Sequence, residues 1–418
     1  MTAMTHGRFR LIAVCALALA VSLPIAIISI AKLGVVCAFL WLVVTDTTIR
    51  RKIVGRQPDV LLMVYFATAA FWISALWSSA SGAAIGKSLS QHCNLLAIPL
   101  VFFLQRSRRD AVIALQVFMV GQLVLVLGSW GLYLHLPVPW AHAGSENGGS
   151  HYAVFSSYLD QSIMAAVFAA MVWHLRGIIP GPIRGIVVPA SIGLALGAVF
   201  GLFIGRTGYV VALVLVTAAV CWEMPGRWRW AALLAPVLMG FMVSLAAPQA
   251  LDRLWLVKTE VAAVDQSTTP LAAETSSSIR LHFWKNSLLA LQKSPWVGHG
   301  AGSWSSQYDA LEPGFSLPAY VPTVGNPHQE YLLWAVELGL PGLVLLLAIL
   351  AAAWRACKPM EPPARRAVQS VLLAIAVACL FNCALFDALI GDFLCLSLAL
   401  ALGFGLHAPA SSPEVVRP

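Results

Sequence analysis

Twelve stretches of this 418-residue chain are apolar for long enough to cross about 30 Å of hydrocarbon as helices, and that repetition constrains the fold more than any motif does. They lie near 10–24 and 25–45 (a short pair hinged at Pro24), 58–78, 86–104, 110–134, 157–175, 185–204, 207–223, 228–248, 330–354, 367–387 and 389–407. Backbone polar groups in hydrocarbon must be satisfied within the protein, so the expected fold is all-α, a polytopic integral membrane protein with about twelve transmembrane helices. Composition agrees: 59% of residues are hydrophobic and 11% charged, against about a quarter charged in a soluble domain.

The N-terminal "THGRFRLIAVCALALAVSLP" has the basic, apolar and small-residue regions of a signal peptide. The apolar run resumes after Pro24, so a retained helical hairpin is expected rather than a cleaved leader.

The net charge of +8 does not form a patch for nucleic acid. With the N-terminus placed in the cytoplasm, 18 of the 26 Lys and Arg fall at the chain ends and in the even-numbered connections. The other eight are Lys32, Lys87, Arg206, Arg253, Lys258, Arg280, Lys285 and Lys293, five of them in one long loop. This asymmetry predicts cytoplasmic N- and C-termini. The chain then divides into spans 1–9 (1–248), a long non-cytoplasmic loop (249–329), spans 10–12 (330–407) and a cytoplasmic tail (408–418). A loop of that length is usually functional or disordered. Within it, Ser277 or Ser278 can cap an amphipathic helix with Leu281, Trp284, Leu288 and Leu291 on one stripe, ended by Pro295 and Gly298.

The eight cysteines sit in or beside apolar runs without metal-ligand spacing, so neither a disulfide framework nor a zinc site is expected. No Gly-rich phosphate loop follows a strand, and nucleotide and metal cofactors are not expected.

Ionisable residues at span ends are costly unless paired, wetted or functional. On the non-cytoplasmic side these are Lys87, Asp160, Arg206, Arg280, His328, Glu330, Asp387 and Asp392. In "TVGNPHQEYLLWAVELGLPG", Asn326 is suited to cap a helix, Pro327 to open it and His328 to lie in its first turn. There the helix dipole would keep the imidazole neutral and able to accept a proton. The plainer reading is an interfacial hydrogen bond.

Arg206, in "FIGRTGYV", has no acidic residue near it in sequence and reads either as a phosphate clamp or as a headgroup-snorkelling cation. Arg280 opens the loop helix, where a cation opposes the dipole unless an anion is near. Asp387 and Asp392 flank the last outer turn, suited to orienting a base or a substrate hydroxyl, or to bonding within the turn. The glycines of "VGHGAGSW" suit either close approach of a ligand or a tight turn. The aromatic residues of the long loop suit sugar rings and the membrane interface equally.

An arginine at the outer end of a mid-chain span, a long outer loop with Arg280-x-x-x-Trp284 and a glycine cluster, and then "NPHQEYLLWAVELGLPG" resemble the O-antigen ligase family, with its related O-antigen polymerases and protein O-oligosaccharyltransferases. The motif match covers roughly residues 195–345. The resemblance implies a GT-C-type architecture in the bacterial inner membrane, with a periplasmic active site in the long loop. It implies His328, Arg206 and Arg280 as essential residues; Lys87, Trp284, Asn326 and Asp387 are added as candidate contacts to diphosphate or glycan. The expected partners are an undecaprenyl-diphosphate-linked O-antigen, the lipid A-core oligosaccharide and membrane lipids. No nucleic acid partner and no cofactor are expected, and the expected state is monomeric. The lack of a soluble C-terminal extension favours ligase over the protein-glycosylating relatives, while polymerase stays open. A transporter would instead gather ionisable residues near the bilayer midplane.

Overall fold

The computed structural model describes residues 3–142, 152–155, 157–234, 276–311 and 325–407, and all description below concerns these. Among them there is no strand. The helices are α1 (Ala3–Ala20), α2 (Ile25–Thr45), α3 (Thr47–Val54), α4 (Asp59–Ser74), α5 (Gly82–His92), α6 (Ala97–Leu104), α7 (Arg108–Tyr133), α8 (Tyr158–His174), α9 (Gly181–Gly197) and α10 (Arg206–Glu223). They continue with α11 (Ser276–Lys293), α12 (Trp304–Leu311), α13 (Glu330–Ala356), α14 (Pro362–Phe381) and α15 (Ala388–Leu406).

Eight described helical segments are long and apolar enough to cross a membrane. Eleven of the twelve expected runs are helical, with differences that have local causes. The run at 86–104 is α5, a 3-10 turn at Cys93–Leu96, and α6. The expected span 367–387 stops at Phe381, because Asn382 turns extended (φ −154°) and residues 382–387 form a turn into α15. Of the run at 228–248, only the part to Leu234 is described, as a 3-10 helix (Gly226–Leu234); the rest, with His151, most of the loop before Ser276, residues 312–324 and the tail after His407, lies outside the described residues.

Core position follows from apolar patterning. Helix α15 is hydrophobic on every side and almost wholly buried, packing on α6, α7, α8 and α14. Helix α2, equally apolar, fully buries only Ile28, Val35 and Leu42 and leaves much of its surface exposed, as suits a lipid-facing helix. Lys32 is no topology signal: it lies inside α2 and its Nζ reaches Asp392 Oδ2 on α15 at 2.8 Å and Asn94 Oδ1 at 3.0 Å. Asp392 therefore points into the bundle rather than to the outer turn.

The loop helix α11 docks on α13, but not by the expected stripe. Its buried positions are Phe283, Asn286, Ser287 and Ala290, whereas Leu288 is 50% exposed. Ser287 Oγ accepts from Trp304 Nε1 (2.8 Å), and Phe283 packs edge-on against Trp304 and Tyr308. Phe283 and Ala290 with the polar Asn286 and Ser287 thus face the protein, and Leu288 and Leu289 face outward beside Lys285 and Lys293, as suits a helix at the membrane interface.

The "VGHGAGSW" segment is more than a simple turn: its backbone bonds to the backbone of α13 and to the side chains of Ser74, at the end of α4, and Ser78 just beyond it. Pro341 has no N–H to give Glu337 O, and Gly339 (φ +73°) breaks α13, leaving carbonyls of the preceding turn open. The N–H groups of His299 and Gly300 fill them, bonding to Val336 O and Glu337 O, both at 2.9 Å. In return Leu340 N–H donates to Pro295 O at 2.7 Å. On the other side Ser74 Oγ accepts from Ala301 N–H (3.1 Å) and Ser78 Oγ donates to Ala301 O (2.7 Å). "ELGLPG" and "VGHGAG" are two halves of one backbone clamp.

Candidate active site

The clamp fixes α11 over the end of the bundle where α8, α10, α13 and α15 begin. His328 lies there, just before α13. The expected cap is displaced by three residues: α13 starts at Glu330, and Gln329 is the N-cap, its Oε1 accepting from Leu332 N–H at 2.5 Å. Asn326 instead makes an Asx turn, its Oδ1 accepting from His328 N–H at 3.0 Å. His328 is held at φ +51°, a left-handed conformation rare for a non-glycine residue and one that local bonding must sustain.

That conformation directs the half-buried ring between two elements. Nδ1 lies 3.2 Å from Asn382 Oδ1 in the turn between α14 and α15, and the Phe283 ring of α11 stacks on it at 6.3 Å. An amide oxygen can only accept, so Nδ1 carries the proton and Nε2 keeps its lone pair. The helix dipole is not the main cause of neutrality. Burial lowers the His328 pKa first, the positive charge of Arg280 lowers it further, and the Asn382 bond opposes both. At neutral pH the ring is a neutral base.

Asp387 is the N-cap residue of α15, and its Oδ1 accepts from Asn326 Nδ2 at 3.4 Å. Burial, then the charges of Asp160 and Glu330, raise its carboxyl pKa to about 8, while Lys87 and the Asn326 bond work against them. Asp387 is therefore largely protonated at neutral pH. Lys87, exposed on α5, also approaches Gly325: a Cβ placed there would lie 3.6 Å from Nζ.

Arg206 is the first residue of α10, half-buried, on a helix whose N-terminus packs against the first turn of α8. The approach is close: a Cβ on Gly208 would come within 2.1 Å of Ser162 Oγ. Asp160, capped through its N–H by Ser157 Oγ (3.2 Å), belongs to that same turn. Lys87, Asp160, Asn326 and Asp387 thus form one electrostatic neighbourhood, Arg280 and His328 adjoin it through Asn326, and Arg206 opens the neighbouring helix. Trp284 packs instead with the apolar cluster around Phe283 and Trp304.

Asn382 and Glu337 had no place in the sequence reading, where Phe283 stood only among the loop aromatics and Glu330 as an ionisable candidate without a role. Phe283, not Trp284, covers the imidazole, and Asn382 sets its tautomer. Glu330 is fully buried and holds the turn that carries Asn382 and Asp387: its Oε2 accepts from the N–H groups of Leu385 (3.0 Å) and Phe386 (3.2 Å), and its Oε1 from Trp334 Nε1 (2.9 Å). Glu337, also buried, accepts from Ser88 Oγ at 2.9 Å. The i, i+4 relation of Glu330 to Trp334 was the one visible hint. Among the described residues no cluster of three or more His, Cys, Asp or Glu side chains is placed to hold a metal.

Residues 194–347 match the model of a family described as O-antigen ligase. Over those residues the chain is similar to the O-antigen ligase family. No curated protein matches it. The family's members are glycosyltransferase-like enzymes of ligase and polymerase type. The matched segment runs from within α9 into α13 and contains Arg206, Arg280, His328 and both halves of the clamp. Lys87, Asp160, Asn382 and Asp387 lie outside it.

Proposed function

We propose that this protein transfers O-polysaccharide from undecaprenyl diphosphate to a sugar hydroxyl of lipid A-core, at the periplasmic face of the bacterial inner membrane. The observation that carries the reading is the His328 ring: neutral, oriented by Asn382, stacked on Phe283 and beside a fixed arginine charge.

Nε2 of His328 takes the proton of the acceptor hydroxyl as its oxygen attacks the anomeric carbon. The bond from that carbon to the diphosphate oxygen breaks, and its electron pair leaves on undecaprenyl diphosphate. Attack from the opposite face inverts the anomeric configuration. Diphosphate is already a leaving group, so the protein's task is to stabilise its charge. Arg206 and Arg280 do this with guanidinium forks that match phosphate oxygens, and the N-terminus of α10 adds partial positive charge. Lys87 and protonated Asp387 supply further donors at the rim, with Asn326 between them. The imidazolium then returns its proton to the departing diphosphate or to water. No step needs a metal.

In this reading the chain is a monomer of GT-C type with both termini in the cytoplasm, and its lipid-anchored substrates enter sideways beneath α11. Purified protein with both lipid substrates in EDTA should transfer fully; activity lost on chelation and restored by a metal ion would refute the metal-free mechanism. His328→Ala should abolish transfer. Arg206→Lys should keep the fold and lose most activity, since a point charge does not replace the fork; wild-type turnover would assign Arg206 to lipid headgroups. Product formed only on the lipid carrier, without lipid A-core, would make the protein a polymerase.

A further inference from the structure

The end of the bundle opposite His328 holds a second polar site. Helices α8, α10 and α15 begin at the candidate active site and end there, a distance of about 28 Å for the 19 residues of α15. Between the start of α7, α9 and α14 and the ends of α8 and α15 lies a cavity of about 680 Å³. Four arginines line it: Arg108, Arg176, Arg184 and Arg366.

Their charge is only partly neutralised. Arg108 pairs with Glu361 at 2.5 Å, and Arg176 and Arg366 share Glu223 at 3.4 and 3.0 Å. Arg184 donates to the carbonyl oxygens of Ile179 (2.9 Å) and Gly177 (3.2 Å). Four cations thus face two carboxylates.

His174 gives the independent sign of an occupant. It lines the same cavity, is 3% exposed, and neither ring nitrogen has a hydrogen-bond partner among the described residues. A buried imidazole left unsatisfied costs stability, and such groups point to something that completes them. The required ligand is an anion rich in oxygen acceptors. Phe404 and Val112 add an apolar wall, and the helix ends place the cavity where a bilayer's headgroups lie.

We propose that this cavity binds the phosphate headgroup of an anionic phospholipid from the leaflet opposite the active site. The arginine forks hold the phosphate oxygens, and His174 donates one further bond.

Native mass spectrometry of the full chain, with phosphatidylglycerol, phosphatidylcholine or inorganic phosphate added, tests this. The wild type should retain phosphatidylglycerol in preference to phosphatidylcholine. Arg184→Glu, or Arg184→Gln should the first variant fail to fold, should weaken that retention by roughly tenfold. His174→Phe, which keeps a ring beside Trp222, should weaken it severalfold with an unchanged melting temperature. Equal retention of both lipids, or wild-type retention in both variants, would overturn the proposal. Inorganic phosphate that protects the chain from heat, undiminished by added phosphatidylglycerol, would assign the site to a soluble anion and overturn the lipid.

Discussion

At the scale of single residues, the site rests on two groups whose protonation is set against their ordinary chemistry. His328 is kept neutral by burial and by Arg280, so removing that charge should raise its pKa. In Arg280→Gln, the pH at which His328 becomes reactive to diethyl pyrocarbonate, followed on its own peptide, should move upward. An unmoved reactivity profile would show that Arg280 does not act on the ring. For Asp387 the folded-state pKa is raised to about 8, so the folded protein holds this proton more tightly than the unfolded chain. Its contribution is full below the ordinary carboxylate range and is lost as pH rises through about 8. Melting of the wild type should therefore fall from pH 6 to pH 9 relative to Asp387→Asn; parallel curves would place the carboxyl in a wetter setting than the structure gives it. His328 itself was legible as a candidate base, but its +51° φ and Asn382 partner were not, because an Asx turn and a helix N-cap call for the same residue at Asn326.

Among the elements, the decisive one is the clamp between residues 298–302 and α13. Gly300 adopts φ +89°, and a Cβ there would meet Ser78 Cα at 2.4 Å. Gly300→Ala should cost about 1–3 kcal/mol from backbone strain alone. Because α11 carries Arg280 and Phe283, its loosening should also remove most transfer activity while the membrane helices stay folded. Hydrogen exchange should rise in residues 276–311 and stay unchanged in α15; protection equal to wild type would mean that something else holds the loop helix. The sequence displayed these glycines and Pro341 plainly, and the helices around them by hydropathy. That the two motifs complete each other's backbone bonds was hidden, because orphaned carbonyls leave no trace in residue type. The same holds for α11: leucine spacing identified a helix there, yet it docks through Phe283, Asn286, Ser287 and Ala290, a choice made by what α12 and α13 present.

For the whole molecule, hydropathy was a reliable guide because each membrane helix must satisfy its own backbone. The assembly of helices was not, since the groups that join them are scattered along the chain. Lys32 and Asp392 show this: separated by 360 positions, they bond at 2.8 Å and tie α2 to the central helix. Counting charges left Lys32 among the eight outside the cytoplasmic set, without a role, although it neutralises a carboxylate that is 4% exposed. A buried charge left without its partner is far more costly than a pair replaced by apolar groups. Lys32→Met should thus destabilise the protein by roughly 3 kcal/mol, and Lys32→Met with Asp392→Leu should recover a large part of that loss. Thermal unfolding of the purified chain in detergent measures both. If the double variant melted below the single ones, Lys32 and Asp392 would be supporting the bundle separately, and the link between the second helix and the last would have to lie in their apolar surfaces.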